Sequence, residues 1–296
     1  MTNTLCVNEN CINQFSNRKY ESKNIWSNSR PNAIICIINN YKNRPGSQED
    51  VDSLFKLSGD LHFAVFENKV HADLNEDKIV ELMKRFANYK VNETKVPRIL
   101  IIMCHGNEDR LIDASGASYD LDEVILPHFS STERPALDDV LKLIVVQSCR
   151  GDLFPVYYDA NNPIPKSYFY KNILVGSSAK KGHRSIRIPG VGCPYIQYFC
   201  SIMRECWKNK PKANVFRVFK DIHEKMSDYK VNGRHYKLVP EMRLIGDLDD
   251  TFINRGLYLN CISVAEKEYD MHMWRQKFPH KLSDYPIMEH EEFEEE

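Results

Sequence analysis

An apolar run at 141–146 ends abruptly in the sequence Gln-Ser-Cys-Arg-Gly-Asp at positions 147–152. Five of the six residues at 141–146 are apolar, Lys142 being the exception, which is typical of a strand buried on both faces. Parallel sheets contain such strands, and their ligands bind at the carboxyl ends of the strands. We therefore expect Cys149 at the carboxyl edge of a parallel sheet, where it would be well placed as a nucleophile.

A second apolar run, at 100–103, leads into His105 and Gly106. If the two runs are neighbouring parallel strands, His105 and Cys149 come together, and a neutral imidazole can accept the thiol proton to give the reactive thiolate. The N–H groups of Gly106 and Cys149 could then form an oxyanion hole. Taken singly, a cysteine is more often inert core packing, and a histidine at a strand end is more often only hydrogen-bonded.

Composition excludes several classes of function. The 40 basic and 41 acidic residues give no charge excess that would favour nucleic acid or a membrane surface. The 9 cysteines are scattered, without Cys-x-x-Cys pairs or the spacing of metal ligands, so we expect neither a metal nor another cofactor. No segment resembles a signal peptide or is apolar enough to span a membrane, and we predict a reduced, cytoplasmic protein.

Strand and helix patterns alternate along the chain, which predicts an α/β protein with a parallel, doubly wound sheet. Helical periodicity is clearest at 75–87, where Ile79, Leu82, Met83 and Phe86 share one face. Pro240, inside a predicted strand, indicates an edge or interface position for that strand. The predicted strands are 33–38, 61–67, 100–103, 141–147, 172–177, 237–245 and 256–260, and the predicted helices are 50–57, 75–87, 120–126, 195–204 and 213–226.

The sequence Gln-Ser-Cys-Arg-Gly at 147–151 resembles the Gln-Ala-Cys-Arg-Gly signature of caspases, in which a histidine lies about 50 residues upstream of the cysteine. Here His105 lies 44 residues before Cys149 (149 − 105). Residues 44–52 are similar to the caspase loop Arg-x-Gly…Asp-Val-Asp. Residues 182–195 resemble the substrate loop of the caspase small subunit, Gly-Tyr-Tyr-Ser-Trp-Arg-Asn…Gly-Ser-Trp-Phe. The resemblance covers roughly residues 31–260.

The resemblance implies a fold and a division of the chain. The fold would be the caspase-like three-layer α/β fold, with a mostly parallel six-stranded sheet flanked by helices and continued across a dimer. Cleavage of a zymogen in the connector would follow Asp159 or Asp152. The expected regions are a short flexible leader at 1–30, a large-subunit region at 31–158, a connector at 159–171, a small-subunit region at 172–260, and an acidic tail at 261–296.

The resemblance also implies cleavage of protein substrates after aspartate, in apoptosis or a related proteolytic cascade. Cys149, His105 and Gly106 would be the catalytic residues. The substrate aspartate would enter a carboxylate pocket formed by Arg44, Gln147, Arg187 and Ser185. Without the resemblance, Arg44 would be interpreted as a surface arginine in a turn. Implied partners are a second copy or a paralogous caspase, and possible inhibitor-of-apoptosis proteins.

The loop at 182–195 departs from the caspase pattern, and this supports a second hypothesis. Its usual tyrosine, tryptophan and asparagine are replaced by Arg184, Ile186 and Ile188, and its second tryptophan by Pro194. The chain could therefore be a weak or inactive homologue that regulates a paralogous caspase by dimerisation. A third hypothesis, a nucleotide-binding sheet, is disfavoured because no glycine-rich turn follows any predicted strand.

Overall fold

A computed structural model describes residues 31–40, 44–90, 96–107, 109–151, 170–209, 215–227, 229–231, 234–236 and 238–246. The expected leader, the tail, the cleavage sites Asp152 and Asp159, and the strand predicted at 256–260 lie outside the described residues. The strands are β1 (Ala33–Asn39), β2 (Phe63–Ala72), β3 (Arg98–Met103), β4 (His105–Asn107), β5 (Arg110–Ile112), β6 (Ser118–Tyr119), β7 (Lys142–Gln147), β8 (Ile173–Ser177), β9 (Tyr229–Val231), β10 (Arg234–Tyr236) and β11 (Glu241–Ile245). The α-helices are α1 (Ser47–Asp60), α2 (Glu76–Asn88), α3 (Leu121–Val124), α4 (Pro194–Asn209) and α5 (Val215–Ser227).

Six strands form the central sheet, in the order β11-β8-β7-β3-β1-β2. Every neighbouring pair is parallel except β11 with β8, which is antiparallel. The expected mostly parallel six-stranded sheet is therefore confirmed. Two small antiparallel units accompany it, β4-β5-β6 and β9-β10, and the sequence patterns predicted neither.

The sheet is the middle of three layers, since its side chains alternate between two hydrophobic cores. Along β1, Ile35 and Ile37 join the core with α1, α4 and α5, whereas Ile34 and Ile38 join the core with α2. All four isoleucines have no exposed surface, and burying each one contributes about 1.5–3 kcal/mol. The continuous apolar runs of the sequence arise from this burial on both faces.

The helices follow the predicted periodicity, with shifted ends. Asn75 caps α2 by accepting a hydrogen bond from the Lys78 N–H (3.3 Å), and the predicted face of that helix is buried. Helix α1 begins at Ser47, three residues before the predicted start, directly after Gly46 in the left-handed region (φ +85°). Helix α4 begins at Pro194, where the missing N–H of proline costs no helical hydrogen bond.

Two strand predictions need correction. The strand predicted at 237–245 begins only at Glu241, immediately after Pro240, because proline has no N–H to donate to a neighbouring strand. Its predicted edge position is confirmed, since β11 lies at one edge of the sheet. The strand predicted at 61–67 runs from Phe63 to Ala72. It continues past an irregularity at Glu67 and Asn68, where positive φ accompanies a shift of its register against β1.

Candidate active site

The two strands that carry the predicted catalytic residues are neighbours in the sheet. Strands β3 and β7 pair in parallel, with Met103 opposite Gln147, and the Cys104 N–H donates to the Gln147 carbonyl (3.1 Å). The residues that follow both strands therefore meet at the carboxyl edge of the sheet. This confirms the predicted pairing, and the segments of His105 and Cys149 leave the sheet side by side.

Gly106 lies directly against the backbone of the cysteine segment. A Cβ atom at Gly106 would collide with the Cys149 carbonyl oxygen and would lie 2.9 Å from the Arg110 carbonyl oxygen. Only glycine fits here, because it allows the backbone of β4 to approach this closely. The two residues whose N–H groups were assigned to an oxyanion hole are therefore in contact.

Cys149 and His105 differ in their surroundings. Cys149 is half-buried, and its thiol donates a long hydrogen bond to the Ser185 carbonyl oxygen (3.5 Å). His105 is exposed at the start of β4. Cys36, Cys104, Cys193 and Cys200 are buried, and burial raises the pKa of each thiol. Cys149 is thus more accessible to a substrate than these four thiols, as a nucleophile must be.

Gln147 links three of the four residues assigned to the carboxylate pocket. Its side-chain oxygen accepts a hydrogen bond from Arg44 Nη2, and its amide nitrogen donates to Ser185 Oγ (3.3 Å). Arg44 Nη1 also donates to Asn39 Oδ1 at the end of β1 (3.2 Å). Arg44 is only 3% exposed, so its interpretation as a surface arginine is wrong.

Arg187, the fourth residue, contacts the segment that carries Arg44. Its Nε donates to the Pro45 carbonyl (2.7 Å), next to Arg44 in the chain. Burial, and then the positive charge of Arg187, lower the pKa of Arg44 to about 10. Both guanidinium groups remain charged at neutral pH, so the site combines two cations with the amide of Gln147. Such forked donors suit a carboxylate because they can contact both of its oxygens.

The start of α1 holds the 182–193 loop in place. Glu49 Oε1 accepts from the Gly190 N–H (3.0 Å), and Asp50 Oδ1 accepts from the Cys193 N–H (2.8 Å). Asp50 also accepts from Gln197 Nε2 on α4 (2.8 Å). The sequence placed Asp50 in the Asp-Val-Asp part of a motif but gave it no role. Its contact partners lie more than 140 residues away, which the motif alone does not reveal.

Several hydrogen bonds hold Arg150, the residue after Cys149, in place. Its guanidinium donates to Asp109 in the β4–β5 turn, to Glu241 on β11, and to the Ala179 carbonyl (3.3 Å). These contacts tie the Cys149 segment to the edge strand of the sheet. The sequence identified only a cation beside the cysteine.

The four residues that replace the usual residues of the caspase loop differ in solvent exposure. Arg184 is exposed, Ile186 packs against the core with α1 and α4, and Ile188 is half-buried and bridges Gly192. Pro194 is buried at the start of α4.

Within the described parts of the chain, no group of three or more His, Cys, Asp or Glu side chains could hold a metal ion. Among the same residues, no helix is long and apolar enough to cross a membrane.

Comparison with solved structures supports the fold. The crystal structure of caspase-1 from Spodoptera frugiperda superposes with a TM-score of 0.57 at 20% sequence identity. The match covers 73% of this chain and 86% of that one. At this identity the likeness concerns the arrangement of strands and helices only.

Sequence comparison identifies the family. The chain is similar to caspase b of Danio rerio (30% identical over 121 residues, 40% of this chain and 29% of that protein). It is also similar to caspase-8 of Rattus norvegicus (25%, covering 60% and 39%) and to caspase Dronc of Drosophila melanogaster (22%, covering 74% and 52%). The chain thus spans from under a third to about half of the length of these relatives. The family model of the peptidase C14 caspase domain matches residues 30–245, and the chain therefore belongs to the caspase family.

Proposed function

We propose that this chain is a cysteine endopeptidase that cleaves protein substrates after aspartate. The observation that carries the proposal is the hydrogen-bonded series Arg44–Gln147–Ser185, which the Ser185 carbonyl connects to the Cys149 thiol. A pocket for a carboxylate thus lies next to a nucleophile. Arg187, which donates to the Pro45 carbonyl beside Arg44, adds the second cation.

The proposed chemistry follows from the residues at the carboxyl edge. The Cys149 thiol gives its proton to His105, and its sulfur attacks the backbone carbonyl carbon of the substrate aspartate. The N–H groups of Gly106 and Cys149 hold the negative oxygen of the tetrahedral intermediate. His105 then donates its proton to the leaving amine, the C–N bond breaks, and a thioester remains. Water hydrolyses the thioester, with its proton passing through His105 back to the sulfur.

Selectivity for aspartate follows from charge pairing. A substrate carboxylate pairs with Arg44 and Arg187 and accepts a further hydrogen bond from the side-chain amide of Gln147. An uncharged side chain in the same position leaves two partly desolvated cations without an anion, at a cost of several kcal/mol. The longer side chain of glutamate shifts its carboxylate out of register with these donors.

We place this activity in the cytoplasm, in apoptosis or a related proteolytic cascade. The chain would be made as a zymogen and cut after Asp159 or Asp152. It would pair along β11 with a second copy or with a paralogous caspase. The edge position of β11 and the 45% exposure of Leu244 on that strand support such pairing. Inhibitor-of-apoptosis proteins are possible further partners.

A second candidate function is regulation of a paralogous caspase by a chain with little activity of its own. Ile186 and Ile188, which replace the tryptophan and asparagine of the family pattern, favour it. Ile186 packs against the protein core, so this part of the loop offers a substrate little polar or aromatic surface beyond the aspartate. Binding of a partner along β11 would not depend on these positions.

A fluorogenic peptide library distinguishes the two candidates. The residue before the cleaved bond is fixed as Asp, Glu or Asn, and the full chain is tested beside its Cys149→Ala variant. Cleavage after Asp that Cys149→Ala abolishes establishes the protease.

The same library is then run with a related active caspase co-expressed with either form of the chain. If the chain alone cleaves no peptide, but the related caspase cleaves faster even when co-expressed with Cys149→Ala, the chain is not a protease. That result would establish that it regulates the related caspase.

A further inference from the structure

A buried carboxylate adjoins the carboxylate pocket, and the proposed reaction does not use it. Asp50 has no exposed surface, although it lies in the first turns of α1. Its Oδ1 accepts two hydrogen bonds, from Cys193 of the 182–193 loop and from Gln197 of α4. Its Oδ2 is buried and has no hydrogen-bond partner. Burying an ionised carboxylate costs free energy when one of its oxygens accepts no hydrogen bond. We therefore looked for a function that this cost would serve.

The charged groups that interact with the Asp50 carboxylate can be identified from its surroundings. The facing thiols, Cys193 and Cys200, are neutral, because burial raises the pKa of each to about 12. The nearest acids on its own helix, Glu49 and Asp52, carry the same charge when ionised. The positive charges that act on Asp50 are Arg44 and Arg187, the cations of the carboxylate pocket.

The contacts of the backbone bring these groups together. Gly192 packs so closely on Asp50 Oδ1 that a Cβ atom there would collide with it. At the start of α1, a Cβ at Gly46 would lie 2.9 Å from the Ile188 carbonyl oxygen and 3.3 Å from Arg187 Cγ. Asp50 therefore lies at the contact between α1 and the loop that carries Arg187.

We propose that Asp50 is a positioning residue of the carboxylate pocket that shares Arg44 and Arg187 with the substrate, so that binding of the substrate carboxylate is coupled to uptake of a proton by Asp50. This inference rests on the proposed cleavage after aspartate. In the empty pocket, Asp50 offsets one of the two positive charges and limits the repulsion between the two arginines. The entering carboxylate takes over that role, and the proton comes from solvent.

The titration of Asp50 is suited to this coupling. Burial raises the pKa of its carboxyl to about 7, against the opposing effects of its hydrogen bonds and the two arginines. A second carboxylate beside the same arginines raises it further, since like charges disfavour each other's ionised form. Binding of the substrate therefore shifts Asp50 from its ionised towards its protonated form near neutral pH. The carbonyl oxygen of a protonated Asp50 can still accept from Cys193 and Gln197, so the loop stays in place.

Calorimetry tests the coupling directly. The full chain carrying Cys149→Ala is titrated at pH 7.5 with an uncleaved peptide containing the aspartate, in buffers of different ionisation enthalpy. We expect uptake of about half a proton or more per peptide bound. Adding Asp50→Asn should abolish that uptake while peptide still binds, because asparagine keeps an accepting oxygen but cannot titrate. Glu49→Gln, which removes a neighbouring charge that touches the same loop, is the matched control and should keep the uptake.

A second measurement does not depend on the fold of the Asp50→Asn variant. In Cys149→Ala alone, the Kd for the peptide should rise by about three- to tenfold between pH 7.5 and 8.5. A flat profile, or the same uptake in Asp50→Asn, overturns the proposal and leaves cleavage after aspartate intact. If Cys149→Ala binds no aspartate peptide at any pH, the proposed function fails together with this inference.

Discussion

Buried cations lie at both ends of the parallel strands. They bind different groups at the amino edge, where the strands begin, and at the carboxyl edge, where they end. At the amino edge, the Arg98 guanidinium donates to the carbonyls of Val96 (2.8 Å) and Tyr89 (2.5 Å), and Lys142 donates to the Leu137 carbonyl. At the carboxyl edge, Arg44 donates to the side chains of Asn39 and Gln147, and beside it Arg187 binds one backbone carbonyl.

The difference shows what separates a structural cation from a site. At the amino edge, backbone carbonyls solvate each buried cation, and these hydrogen bonds hold the preceding loops against the sheet. At the carboxyl edge, two cations lie together with an amide between them and a half-buried thiol nearby. Burial of a cation therefore does not identify a binding site, whereas convergence of several side chains on one space does.

Replacing one arginine by methionine at each edge tests whether the two edges differ in function. Arg44→Met removes half of the charge pairing for the substrate carboxylate, and kcat/KM for peptides ending in aspartate should fall by about 1,000-fold. Arg98→Met should change kcat/KM less than about twofold while it lowers the free energy of unfolding by about 1–3 kcal/mol. Steady-state kinetics and urea denaturation of both variants measure this. Equal losses of activity at the two positions would remove the functional distinction between the edges.

The contact between Gly106 and the cysteine segment predicts the next largest effect. Gly106→Ala places a methyl group against the Cys149 carbonyl oxygen, which displaces the proposed oxyanion donors, and kcat should fall by about 100- to 1,000-fold. Gly116→Ala, at a turn with no atom near the added methyl group but with φ +93°, controls for loss of stability alone. An active Gly106→Ala enzyme would show that this N–H is not an oxyanion donor.

The buried amine at the amino edge predicts a pH dependence of stability. Burial lowers the pKa of Lys142 from 10.5 to about 8. Below pH 8 the amine is charged in both the folded and the unfolded state, and folding must bury that charge. Between pH 8 and 10.5 the folded state loses the proton first, so the unfolded state binds more protons and the free energy of unfolding rises with pH.

The pKa difference of 2.5 (10.5 − 8) corresponds to about 3 kcal/mol in the free energy of unfolding. Relative to Lys142→Met, the stability of the native chain should increase by this amount from pH 7.5 to 10.5. Chemical denaturation followed by circular dichroism at each pH gives the difference and cancels the titration of other groups. Curves that run parallel would show that the amine is solvated as well inside the protein as in water.

The smallest effect is expected at Ser185. Ser185→Ala removes the hydroxyl that accepts from Gln147 (3.3 Å), but it keeps the backbone carbonyl that contacts the Cys149 thiol. Loss of one neutral hydrogen bond costs about 0.5–1.5 kcal/mol, so KM should rise about two- to tenfold with little change in kcat. A large loss of kcat instead would assign the hydroxyl to the chemical step.

The central strands, and the edge of the sheet at which the candidate site residues meet, could be predicted because they depend on local patterns. Apolar runs at 33–38, 100–103 and 141–146 have few alternatives to a doubly buried strand, and polar residues at their ends mark one edge. Helix α1 begins earlier than predicted, directly after Gly46. Strand β11 begins later than predicted, directly after Pro240. The β4-β5-β6 and β9-β10 units were missed because strands of two or three residues carry too little periodicity.

Local patterns were enough to predict the six strands of the central sheet, the five α-helices, the two segments that end in His105 and Cys149, and the family signature. The contacts between distant groups became visible only in the folded chain. Folding buried Arg44 and bound it to Gln147, pressed Gly106 onto the Cys149 backbone, and placed Asp50 against the 182–193 loop. The physical reason is that periodicity arises from burial, which each segment carries in its own residues. Hydrogen bonds and charge balance depend instead on partners that the chain brings together only by folding.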